Sequence, residues 1–198
     1  MIEHQRKQSA FVTLILGLLA IVFISISLSV LSGLGNAAHA APVVGFVPGR
    51  IIDDGIFTNH TSMSPDQIQN FLNSKVPVCD TAGTLPSEFG GGTRAQWGEA
   101  HGSPAPFICL KDYTEGGRSA SQIIYDTAQQ YQINPQVFIV LLQKEQGLVT
   151  DTWPTNGQYR TATGYGCPDT APCDTQYFGL TNQLQWSGKM FRAILNNS

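Results

Sequence analysis

Apolar residues recur at helical spacing in four stretches of the chain, the strongest from Ile133 to Thr150, INPQVFIVLLQKEQGLVT. Asn134 and Pro135 read as an N-cap and first helical residue and Gly147 as a C-terminal stop, which predicts a helix of about three turns. At about 100° per residue, Phe138, Leu141, Leu142 and Glu145 share one stripe, so an acid sits on the packing face. Val137, Ile139 and Val140 make the rest of the helix apolar too, leaving Gln143, Lys144 and Gln146 as its polar side. A helix apolar nearly all round is expected at the centre of its domain.

Three further helices follow from the same periodicity. Ser64-Pro65-Asp66-Gln67 carries an N-cap, a first-position proline and a capping-box Gln; it should open a helix to about Ser74 that buries Ile68, Phe71 and Leu72. Met63 and Ile68 have the spacing of a hydrophobic staple. Ser119 and Gln122 form a second capping box, starting a helix to Tyr131 that presents Ile123, Ile124 and Ala128. Leu180, Leu184, Met190, Phe191 and Leu195 predict a final helix. Elsewhere Val43 to Asn59, punctuated by Pro48-Gly49 and Asp53-Asp54-Gly55, reads as extended or hairpin-like chain. Asp80 to Gly117, with Gly90-Gly91-Gly92 at its centre, shows no helical period and reads as a long loop. The fold class is therefore mainly α, with a loop-rich N-terminal portion.

The N-terminus changes the compartment. Arg6 and Lys7 precede an almost uncharged run from Ala10 to Leu34, and Ala38-His39-Ala40 offers a small-x-small cleavage site. Residues 1–40 are expected to be a signal peptide or, since the run is long enough for a bilayer core of about 30 Å, an uncleaved anchor. Either places the folded part outside the cytoplasm, secreted or held at the outer membrane face. Residues 41–118 then form the loop-rich region and 119–198 the helical one. Without residues 1–40 the chain has 9 basic and 13 acidic side chains, which argues against nucleic acid as a partner.

Four cysteines in an exported chain imply two disulfides. Cys167 and Cys173 are close in sequence and pair most simply with each other, leaving Cys79 to Cys109, a bridge that would tether the long loop. The Cys pairs of a zinc site are absent, so neither metal nor other cofactor is expected.

The chemistry centres on Glu145. Apolar surroundings and the negative end of a helix both favour the protonated form of a carboxyl, which suits an acid that protonates a glycosidic oxygen. The alternative is a polar residue at the point where the helix surfaces, held in an ion pair. Glu88, Glu99, Asp151, Asp169 and Asp174 are candidates for a second carboxylate, and Trp97 for stacking on a sugar.

INPQVFIVLLQKEQG resembles the catalytic helix of lysozyme-like peptidoglycan hydrolases, including soluble lytic transglycosylases, and Phe178 to Gln183, FGLTNQ, resembles their Gly-Leu-Met-Gln segment with one extra residue. The likeness covers about Ser119 to Arg192. The intervening GYGCPDTAPCD matches no standard transglycosylase block and, with SPDQIQNFLNSK, resembles a group of secreted bacterial proteins of poorly known activity. The resemblance implies a lysozyme-like domain and glycosidase-type cleavage of β-1,4 glycan strands, with peptidoglycan or a related polysaccharide as partner. It implies Glu145 as the acid and Tyr165, Tyr177, Phe178 and Gln183 as saccharide contacts. Lysozyme-like domains usually add helices beyond this point, so an early-ending version is expected. A saccharide-binding or adhesion module on the same fold, without turnover, is the alternative.

Overall fold

A computed structural model describes residues 51–197, of which 50% are helical and 4% strand. The mainly α reading holds. The proposed signal or anchor segment lies outside the described residues; within them no helix is long and apolar enough to cross a membrane. Of the described residues, 52–197 form one compact unit.

The elements, in chain order, are α1 (Asp54–Phe57), α2 (Pro65–Lys75), α3 (Arg94–Ala100), a 3-10 turn (Leu110–Asp112), β1 (Thr114–Glu115), β2 (Arg118–Ser119), α4 (Ala120–Tyr131), α5 (Pro135–Gln146), α6 (Asn156–Arg160), a 3-10 turn (Thr175–Tyr177) and α7 (Leu180–Asn196). β1 and β2 form an antiparallel hairpin in which Thr114 pairs with Ser119 and Glu115 with Arg118. Helix α4 is the hub, packing against α2, α5 and α7. Ile123, Ile124 and Ala128 from α4 meet Ile68 and Leu72 from α2, Phe138 and Leu142 from α5, and Leu180 and Leu184 from α7 in one buried core.

Local capping explains where most helices begin. Ser64 and Gln67 form the reciprocal capping box predicted for α2. The box at α4 is only half made: Ser119 accepts from the Gln122 amide, while the Gln122 side chain donates instead to Asp126 at 2.7 Å. Asn134 starts α5 and does more than cap it. Its Oδ1 accepts from the Gln136 amide at 2.9 Å and from Ser62 Oγ at 2.7 Å, and its Nδ2 donates to the Ile56 carbonyl at 3.0 Å. Gly147 ends the helix at φ +69°, a conformation open to glycine at little cost.

Three expectations need correction. Asp53-Asp54-Gly55 leads into the single helical turn α1, with no hairpin, because the Asp53 carbonyl accepts from both the Ile56 and Phe57 amides. The long loop contains α3, opened by a Thr93–Gln96 capping box and anchored by the buried Arg94. Helix α5 is not surrounded by protein: Phe138, Ile139 and Leu142 are buried, whereas Val140 is 64% exposed.

Helix α7 opens at Gly179, which has no side chain with which to cap it. Glu115, at the end of β1, supplies the acceptor, taking the Leu180 amide at 3.1 Å and the Thr181 amide at 2.7 Å. A carboxylate at this end of a helix also complements its positive dipole.

The disulfides are Cys79–Cys109 and Cys167–Cys173, as the cysteine spacing predicts. The first tethers the segment that carries α3.

Candidate functional site

Glu145 lies in the last turn of α5, where the helix leaves the core. Its side chain is 30% exposed and its Oε1 accepts from the Lys144 ammonium at 2.6 Å. The apolar walls expected from the helical stripe are therefore missing, because Leu142, one turn earlier, is the last fully buried residue on that face. The other oxygen faces the loop after α6. A Cβ built on Gly164 would lie 3.4 Å from Glu145 Oε2, and Gly164 has φ +70°. Glycine at 164 permits the turn at that φ, and the loop it belongs to lies directly beside the carboxylate's second oxygen.

That loop is held from beneath by Gln183. This side chain is fully buried and its amide is occupied at both ends. Oε1 accepts from the Thr163 amide at 3.1 Å, the Thr163 hydroxyl at 3.0 Å and the Tyr165 amide at 3.1 Å. Nε2 donates to the Tyr165 carbonyl at 2.9 Å and the Tyr177 carbonyl at 2.8 Å. Ser187 adds a hydrogen bond to the Thr163 hydroxyl at 2.8 Å. The resemblance implied that Gln183 would contact saccharide; the structure instead encloses it and makes it the fastening between the 163–165 turn, the Tyr177 turn and α7.

The predicted aromatic contacts separate into two groups. Tyr165 and Tyr177 join Trp186 in a cluster, with Tyr165 stacked on Trp186 at 5.6 Å and edge-on to Tyr177 at 4.9 Å. Tyr165 and Trp186 also line an open groove of about 540 Å³ along the outer face of α7, with Lys189, Met190 and Ile194. Phe178 is apart from them, under the Arg160 guanidinium at 4.4 Å. Tyr165 links acid and groove: the residue before it lies beside Glu145, and its own ring forms the groove wall. Trp186, a member of this cluster, was not singled out by sequence; its distance of only three residues from Gln183 on a helix was the available signal.

Three of the other candidate carboxylates, Asp151, Asp174 and Glu88, have structural partners. Asp151 accepts from the Trp153 amide at 2.9 Å and from Gln158 Nε2 at 2.8 Å. Asp174 accepts from the Gln176 amide at 3.1 Å and also from the Gln176 side chain. Glu88 pairs with Arg94, which also reaches Asp80 at 3.3 Å and Thr152 Oγ1 at 3.0 Å. Burial pushes the Asp80 carboxyl upward, but amide bonds from Thr84 and Leu85 together with Arg94 hold it below its usual range. The bond to Arg94 is the chief cause that lowers Glu88. Among the described residues no group of three or more His, Cys, Asp or Glu side chains could hold a metal ion.

A family model described as LasA, N-terminal domain, matches residues 50–194. No curated protein and no solved structure matches the chain.

Proposed function

The chain belongs to the LasA N-terminal domain family, a family associated with secreted proteins; on the geometry around Glu145 we propose that it cleaves the β-1,4 glycan strands of peptidoglycan with that residue as the single acid and base. The observation that carries this reading is the setting of Glu145: a part-exposed carboxylate in the last turn of a core helix, beside Gly164 of a turn that Gln183 immobilises. A general acid must reach the leaving oxygen and keep a fixed position relative to the sugar. Exposure allows the first, and the second comes from the core helix that carries the acid, with the fastened turn beside it. The groove walled by Tyr165 and Trp186 gives sugar rings flat faces to stack on.

In this mechanism the Glu145 proton passes to the glycosidic oxygen as the bond from that oxygen to C1 breaks. The resulting carboxylate then takes the proton of the muramyl C6 hydroxyl, whose oxygen bonds to C1 and gives an anhydro end. Water in place of that hydroxyl gives a reducing end. One carboxylate is enough for the first route, and the internal partners of Asp151 and Asp174 favour it.

The Lys144 ion pair favours a second reading, a saccharide-binding module without turnover, since it occupies the oxygen that an acid would use. Zymography on purified wall with the native chain and Glu145→Gln separates the two, with muropeptide masses as the product readout. Lysis by the native chain that the variant loses, with anhydro ends released, supports cleavage. Equal wall binding by both chains without lysis supports the module. Absence of both lysis and binding overturns both.

A further inference from the structure

A second cleft lies away from the Gly164 turn. It has a volume of about 440 Å³ and is lined by Glu88, Phe89, Trp97, Asp151, Trp153, Thr155 and Gln158. That volume is within the range of about 300–1,000 Å³ usual for small-ligand sites. Neither the acid at 145 nor the groove on α7 shares a residue with it.

Its walls select a type of ligand. The Trp97 and Trp153 rings are nearly perpendicular at 86°, and Phe89 leans against both at 38° and 48°. Rings at such angles, with centroids 5.1–5.9 Å apart, pack on one another and do not make the flat platform on which a sugar stacks; together they form an apolar wall on one side of the cleft. His101 stacks on Trp97 at 3.9 Å and covers one face of that indole. The polar lining is just as selective. Gln158 Oε1 accepts from the Thr155 amide and hydroxyl, and its Nε2 donates to the Gln146 carbonyl and to Asp151, so these donors are engaged internally. The remaining capacity lies in the lone pairs of the Asp151 and Glu88 carboxylates, each of which accepts more bonds than it is given. Charge agrees: Asp80, Glu88 and Asp151 stand against the one guanidinium of Arg94. Trp153 already accepts that guanidinium over its ring at 5.2 Å.

We propose that this cleft binds a primary alkylammonium group, of the kind a lysine-type diamino-acid side chain carries, between the rings of Phe89, Trp97 and Trp153 and the carboxylates of Glu88 and Asp151. An ammonium donates and never accepts, and its hydrocarbon stem suits aromatic walls. The site stands on this cleft alone and holds whether or not Glu145 cleaves glycan.

The test uses the full chain labelled with 15N and follows the three indole N–H signals, with Trp186 as an internal control. Nα-acetyl-lysine N-methylamide should shift Trp97 and Trp153 in a saturable way and leave Trp186 in place. The Nε-acetylated form, neutral but of similar shape, should bind about tenfold more weakly. Phe89→Ala, at an exposed position, should weaken binding several-fold with an unchanged unfolding midpoint, and Asp151→Asn should reduce the preference for the charged probe. Butylammonium separates sources: affinity equal to the peptide-like probe assigns the site to free amines, weaker affinity to a diamino acid within a peptide. Equal binding of charged and acetylated probes overturns the proposal. So does the absence of any saturable shift, or a response to an N-acetylglucosamine tetramer alone.

Discussion

Replacing Gln183 tests the most heavily bonded side chain around the candidate site. Gln183→Leu keeps volume and burial but removes every hydrogen bond of the amide, leaving the Thr163 and Tyr165 amides and the Tyr165 and Tyr177 carbonyls without their partner. A buried polar group left unpaired costs about 1–3 kcal/mol. Thr163 is buried, whereas Tyr165 and Tyr177 are partly exposed and water can reach some of the freed groups, so a total of about 3–5 kcal/mol is expected. That is a large part of the roughly 5–15 kcal/mol that holds a domain together. Urea unfolding with disulfides intact should show a lower midpoint at unchanged slope, against the exposed substitution Gln136→Leu as control. Gln183→Glu sharpens the test, because it sets an acceptor where two carbonyls need donors. In that variant the folded protein favours the protonated carboxyl, so its stability relative to the native chain should be highest in acid and fall as pH rises past the ordinary carboxylate range. A loss under about 1 kcal/mol for the Leu variant, or no pH dependence of that relative stability for the Glu variant, would refute the fastening role.

Asn134→Ala removes a helix cap that also binds Ser62 and the Ile56 carbonyl, and should cost about 2 kcal/mol in chemical denaturation, more than an exposed cap such as Ser64→Ala. Arg94→Ala should destabilise by about 3–5 kcal/mol, because it leaves the nearly buried Asp80 without its cation. Asp80 and Glu88 are lowered in the folded state, so their contribution is present above the ordinary carboxylate range and lost as pH falls through their lowered values; the acid limb of melting temperature against pH should flatten in Arg94→Ala. Replacing both Cys79 and Cys109 by Ser should cost about 3–4 kcal/mol, and replacing Cys167 and Cys173 about 2, as read from unfolding midpoints under non-reducing conditions.

Much of the helical framework was legible because helix ends are written locally. Ser64, Asn134, Pro135 and Gly147 place the ends of α2 and α5 within a residue. Helix α3 was missed although Thr93 and Gln96 carry a capping box, because the seven-residue helix has too few apolar positions to show a period within a glycine-rich stretch. Both cysteine pairings were legible, since few alternatives exist for four cysteines. The surroundings of Glu145 were not. They depend on Gly164, nineteen positions later, and on where α5 leaves the core, which the stripe of Phe138, Leu142 and Glu145 does not reveal. Gln183 has the same difficulty: a glutamine that fastens a turn and one that binds a sugar read alike until its partners are known.

Glu115 makes the last helix depend on a residue that precedes it by sixty-five positions. A fragment that began at Ser119 would keep every helix-forming signal of the second half, yet would leave the opening turn of α7 without its distant acceptor. The smallest piece of this chain worth expressing alone must therefore start upstream of the hairpin. By the same reasoning, evolutionary shuffling of the second half would have had to carry that short ribbon along.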